Sequence, residues 1–179
     1  MTPVVASVTY ILAALSVALD VAIVIVIISI ILRHGAGKPV FLFIARHGVL
    51  IAFIAAFASL GGSLFYSEFA GFVPCTLCWI QRVCMYPQIV LLGFTLRRYD
   101  AKLVLSSLIL SGLGALVAGY NQYLQFGGNP LVPCGTGPGT VSCAQRFFVE
   151  FGYMTIPMMS LTAFALIGVA LVAERIHRG

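Results

Sequence analysis

The run VVASVTYILAALSVALDVAIVIVIISIIL, from Val4 to Leu32, carries one formal charge in 29 residues, that of Asp20. A helix rises about 1.5 Å per residue, so this stretch is long enough to cross a hydrocarbon core of about 30 Å. It is too long, and too poor in positive charge ahead of it, to be a cleaved signal peptide. Reading outward, four more apolar runs follow at roughly Gly48–Tyr66, Leu77–Leu96, Leu103–Tyr123 and Tyr153–Ala173, each close to the ~20 residues a span needs. The whole chain is 61% hydrophobic and 8% charged, which excludes a soluble globular domain and leaves no room for a separate one. The expectation is a single all-α membrane domain over residues 1–179, with five transmembrane helices.

Charge placement orients the spans. Arg33, Lys38 and Arg46 fall in one connection, Arg97, Arg98 and Lys102 in another, and Arg175 and Arg178 in the C-terminal tail, so eight of the ten basic residues share one side. By the positive-inside bias that side is cytoplasmic, and the N-terminus and the segments 67–76 and 124–152 lie outside. The net charge of +5 is therefore a topology signal and not a nucleic-acid surface. The first half of the larger outer loop, 126–139, is rich in Gly and Pro and reads as irregular and mobile. In its second half Phe147, Phe148 and Phe151 recur at helical spacing, which fits either a short interfacial helix or a polar loop with buried aromatics.

Sidedness gives the cysteines their meaning, because disulfides persist outside the cytosol. Cys75, Cys78, Cys134 and Cys143 all fall on the outer face, and Cys84 lies inside the third span, where a free thiol behaves as a small apolar residue. Cys75-Thr-Leu-Cys78 follows Pro74 and opens that span. A helix N-terminus favours a thiolate, the reactive form of the side chain. Arg82, one turn beyond Cys78, is costly at that depth; it either stabilises a Cys78 thiolate, polarises an oxygen of a bound acceptor, or snorkels to the interface. Cys134 and Cys143 are close enough in sequence to pair, and a disulfide on an exposed loop is open to attack by an incoming thiolate, although it also serves as a simple clamp. Asp20 faces other helices, a cavity or a partner, or is protonated and packed. Pro87 and Pro157 are candidate bends that open room for a ligand.

These residues resemble the DsbB-type membrane oxidoreductases, in particular the branch called BdbC. The resemblance rests on Gly62-Ser-Leu-Phe-Tyr-Ser-Glu68, Pro74-Cys-Thr-Leu-Cys-Trp-Ile-Gln-Arg82, Met85-Tyr-Pro87, Pro133-Cys134, Cys143 and Thr155-Ile-Pro157, over about residues 44–172. It implies a four-helix transmembrane bundle (about 44–173) in the bacterial cytoplasmic membrane, here with an additional N-terminal span (about 4–32). It also implies the activity: reoxidation of an extracytoplasmic thioredoxin-like dithiol oxidase of the DsbA or BdbD type, with the electrons passed to a membrane quinone, ubiquinone or menaquinone. By similarity Cys134 receives the partner's attack, Cys143 completes the loop pair, Cys75 and Cys78 take the electrons next, and Cys78 with Arg82 meets the quinone. The loop pair is closer in sequence than in better-known members. The vitamin K epoxide reductase type places its loop cysteines before its C-x-x-C, the reverse of the order here. Two other classes compete: a soft-metal site held by the four outer cysteines, for which the three histidines His34, His47 and His177 all lie on the wrong side, and a non-catalytic subunit stapled by two inert bridges.

Overall fold

In a computed structural model, which describes residues 2–32, 37–131, 134 and 141–178, the chain is helical: α1 (Pro3–Ile31), α2 (Lys38–Leu64) running into a π-helical turn (Phe65–Phe69), α3 (Thr76–Arg97), α4 (Ala101–Gln125) and α5 (Ile156–Arg178). All five helices are long and apolar enough to cross a membrane. Arg33 and His34, and half of the stretch 126–139 expected to be irregular, lie outside the described residues.

Local chemistry sets the ends. Thr2 accepts from the Val5 N–H ahead of a proline in the first turn of α1, and Asp100 accepts from the Lys102 N–H at 2.8 Å to open α4. Past the π turn the chain reverses through Gly71 at φ 71°, a conformation glycine adopts without a Cβ penalty, and runs through Pro74 to Cys75. Pro87 sits within a continuous α3. Pro157 falls in the first turn of α5, where the missing N–H would have no helical partner anyway, so it starts a helix instead of bending one.

Helices α2, α3, α4 and α5 close a four-helix bundle in which each packs on its neighbours in the ring, and α1 lies outside it against α5 and α2. Small residues on α2 and α4 (Ala52, Ala56, Ala118) admit large ones (Met85, Leu92, Phe164, Ile167, Leu171) into one core. Gly114 lets the Phe164 ring lie directly on the α4 backbone: a Cβ there would overlap the ring. Two buried polar groups tie helices together. Gln88 donates to the Cys84 carbonyl and accepts from Ser111 at 2.9 Å, joining α3 to α4. Glu174 accepts from the Val49 N–H at 2.6 Å and from Arg178, joining α5 to α2 at the end opposite the cysteines. The outward faces are aliphatic and aromatic, with Phe57, Phe94 and Leu116 among the residues turned away from the bundle, as lipid requires.

Two sequence expectations change. α2 begins at Lys38, ten residues before the apolar run, so Arg46 is helical and not in a connection; hydropathy marks only the part matched to hydrocarbon, while the helix continues because continuing satisfies its backbone. The aromatics after Cys143 form no helix. Glu150 and Met154 exchange backbone hydrogen bonds across a tight turn with Phe151 at φ 51° and Gly152 at φ 80°. Phe147 stacks on Phe72 at 4.5 Å between centroids and Phe148 leans on Tyr66.

Replacing Gly114 by Ala overpacks a buried contact and is expected to cost about 1–3 kcal/mol. Thermal unfolding in detergent measures it, with Gly112→Ala, where no atom lies near, as the neutral control.

Candidate redox site

Cys75 is the N-cap of α3. Its backbone is extended (ψ 170°), and its Sγ takes the place of the usual capping oxygen by accepting from the Cys78 N–H at 3.4 Å. The C-x-x-C spacing then brings Cys78 back over the cap, with the two sulfurs 2.8 Å apart and both thiols free. Asn121, fully buried near the end of α4, aims its Nδ2 at both, donating to Cys78 at 3.6 Å and Cys75 at 3.8 Å. The Cys75 thiol is pulled from its usual value down to about 6, first by the hydrogen bond from Cys78, with the capped backbone N–H groups and Asn121 adding to it and burial opposing.

Cys134 and Cys143 form a disulfide with their Cα atoms 5.7 Å apart. It does not stand free on a loop. Cys143 is 1% exposed and packs in one cluster with Cys75 and Leu124, and Cys78, Cys134, Leu77 and Tyr120 close around them. Cys134 is the more exposed partner. The segment that carries Cys143 is held by the end of α4: Gln125 donates to the Gln145 carbonyl at 3.0 Å, and Gln122 donates to the Tyr153 carbonyl at 2.9 Å while accepting from Thr155.

Arg82 is buried, yet it bonds neither sulfur. Its Nε donates to Ser63 Oγ at 2.9 Å and its Nη2 to the Ser63 carbonyl at 2.8 Å, and the guanidinium lies 5.2 Å from the Trp79 ring centroid. It has no carboxylate partner among the described residues. Below the cysteine pair Arg82, Cys78, Gln81, Ser63, Tyr66 and Met159 line a mainly apolar cavity of about 120 Å³, open on one side. Gln81 Nε2 is buried there without a partner among the described residues. An uncompensated cation and an orphaned N–H donor beside an apolar space fit a planar lipophilic molecule bearing carbonyl oxygens, which is the chemistry of a quinone.

Asn121 escaped the sequence reading, and Ser63 and Gln81 entered it only as members of the quoted motifs, with no role of their own. Asn121 lies 43 residues beyond Cys78, and only the fold brings it to the sulfurs. A buried asparagine in an apolar run is the one signal that pointed at it. Asn121→Leu is expected to raise the Cys75 thiol by a small amount, because Asn121 is the smallest of the contributions that hold it down. Site-resolved alkylation against pH reads this directly, and an unchanged profile in the folded variant would remove Asn121 from the site.

Comparison with known proteins agrees with this geometry. Residues 45–174 match the family model described as disulfide bond formation protein DsbB. A probable disulfide formation protein of Oceanobacillus iheyensis is 38% identical over 123 residues, covering 69% of this chain and 85% of that one. In Bacillus subtilis, an SPbeta prophage-derived disulfide bond formation protein B is 37% identical (66% and 78% covered), and disulfide bond formation protein C is 34% identical (65% and 83%). No solved structure matches the chain. With most of its bundle matched by the family model and Cys75, Cys78, Cys134 and Cys143 packed in one cluster, the chain belongs to the DsbB family of disulfide bond formation proteins.

Proposed function

We propose that this membrane protein moves two electrons from an extracytoplasmic thioredoxin-like oxidase to a membrane quinone, through Cys134–Cys143 and then Cys75–Cys78. The observation that carries the reading is the shared environment of the cysteines: Cys143 and Cys75 are buried together, whereas Cys78 looks into the cavity that holds Arg82.

The exchange balances in three steps. A thiolate of the reduced partner attacks Cys134, the accessible sulfur, and Cys143 leaves; the partner's second thiol then displaces Cys134, so the partner is oxidised and the loop pair holds two thiols. The loop dithiol next attacks the oxidised Cys75–Cys78 bond at Cys75, and resolution of the mixed disulfide returns the loop bridge and leaves Cys75 and Cys78 reduced. Finally Cys75 and Cys78 reclose, releasing two electrons and two protons. A quinone in the cavity supplies the acceptor for both. Arg82, positioned by Ser63, and Gln81 present N–H donors where negative charge gathers on that acceptor. Cys75, stabilised as a thiolate by Cys78, its cap and Asn121, is the sulfur displaced when the loop bridge closes again, which makes it a good leaving group in that step. Sidedness supports the scheme, since basic residues gather at the end of the bundle remote from the cysteines, where the thiol partner would be absent.

Cys78→Ser is expected to abolish quinone reduction by the purified protein while leaving Cys134–Cys143 oxidised at rest. Arg82→Ala is expected to raise the KM for quinone by about tenfold or more, the loss of a charge-assisted hydrogen bond, with a smaller change in kcat. Steady-state absorbance assays at varied quinone measure both. Full activity in Cys78→Ser would overturn the route.

A further inference from the structure

The additional helix α1 is not spread at random around the bundle. Val5, Thr9, Leu12, Ala13, Ser16, Asp20 and Ile23 recur at three- and four-residue spacing and share one face. That face turns inward: Val5, Thr9, Ala13 and Ile23 are buried, while Val4, Ile11, Leu15, Val21 and Val24 on the other faces are exposed and apolar. The inward face therefore carries the helix's carboxylate and two of its hydroxyls, an expensive arrangement for a mere anchor.

Each part of that face has a specific neighbour. Leu12 and Ser16 line the same cavity as Cys78 and Arg82. One turn further along, Asp20 is clamped by α5 and the segment before it: Thr162 Oγ1 donates to Oδ1 at 2.7 Å, and the Tyr153 hydroxyl to Oδ2 at 3.4 Å. Thr162 lies only six residues into α5, about 9 Å along its axis. Asp20 thus sits nearer the cysteine end of the bundle than its place midway along a 29-residue helix suggests. Tyr10 meets Phe151 at 5.5 Å between ring centroids on the same side.

We propose that α1 is a wall of the acceptor site: Leu12 and Ser16 close the side of the cavity, and Asp20, held by Thr162 and Tyr153, is the positioning residue that fixes how far α1 stands from α5. The inference rests on the reading that this cavity takes a quinone, and it adds that the helix outside the four-helix bundle helps decide which quinone fits and how tightly. Filling the wall from α1 should therefore exclude the ligand without touching any cysteine. Releasing the clamp should loosen the site, whereas Asn at position 20 still offers one oxygen to Thr162 and should retain part of the effect.

The full-length protein in detergent provides the test, because its one tryptophan, Trp79, lies against Arg82 and reports an added quinone by fluorescence quenching without turnover. With ubiquinone-1 and menadione as probes, Ser16→Phe is expected to weaken binding at least tenfold. Asp20→Leu is expected to weaken it several-fold and to change the ratio of the two affinities, with Asp20→Asn in between. Thermal unfolding identifies variants that have lost their fold. An azido-quinone, photolysed on the unmodified protein and mapped by mass spectrometry, keeps the question decidable if they have: label on residues 3–20 as well as near Cys78 supports the proposal. Label near Cys78 and on α2 or α5 with none on α1, together with unchanged affinity in Ser16→Phe, would overturn it while leaving the electron route intact. Absence of saturable label around Cys78 would overturn the quinone reading and this inference with it.

Discussion

In the proposed route a sulfur ionises at the edge of the bilayer, where lipid supplies no hydrogen-bond donors, and the placement of Cys75 as the cap of α3 provides them. A helix start already has N–H groups without partners. Using a cysteine instead of serine or aspartate to satisfy them gives the sulfur its donors and the helix its cap in one contact. The rest of the site is arranged around that choice. Pro74 holds the chain extended before the cap, Cys78 returns one turn later within 2.8 Å of it, and Arg82 falls one turn deeper. Asn121 completes the donor set from a different helix, so the reactive pair depends on α3 and α4 packing in register, which the Gln88–Ser111 contact enforces deeper in the core.

The four cysteines then divide by environment. Cys134 retains access, Cys143 and Cys75 are buried against each other's neighbours, and Cys78 borders the cavity. A gradient from accessible to enclosed is what a directional relay between a soluble donor and a lipid-soluble acceptor requires: each sulfur meets the next before solvent thiols do. The loop disulfide takes its position from the end of α4, where Gln122 and Gln125 hold the following segment by its backbone. Those two contacts are to backbone carbonyls, and Thr155, Phe147 and Phe148 add side-chain contacts that hold the same segment.

Much of this was legible in the sequence, and the remainder was hidden for definite reasons. The spans were readable because lipid imposes length and apolarity on each, although Lys38–His47 was missed as helix because its basic residues Lys38 and Arg46 read as a connection, while Phe41 and Ala45 between them pack into the protein core. The cysteine pair was readable from spacing, being local. The burial of Cys143 was not, because the residues that cover it, Cys75 and Leu124, are distant in sequence and only the fold brings them to it. Helical spacing at Phe147, Phe148 and Phe151 misled because the rings stack on Phe72 and Tyr66, tertiary partners no local pattern shows. For Arg82 the sequence left three partners open; in the fold Ser63, nineteen residues earlier, takes two of its N–H groups and leaves the others to the cavity. Asp20 was recognisable as costly, but its partner Thr162 is 142 residues away and only the packing of α1 on α5 brings them together.

The central claim is that a reduced thioredoxin-like donor and a quinone exchange electrons only through this chain's two cysteine pairs. Anaerobic titration of the purified protein and excess quinone with a reduced thioredoxin-like oxidase, following quinone absorbance, tests donor, acceptor and stoichiometry together. The account predicts one quinone reduced per donor disulfide formed, with both cysteine pairs oxidised again at the end. Donor oxidation without quinone loss, or quinone loss that persists when Cys134 and Cys143 are replaced by serine, would contradict it.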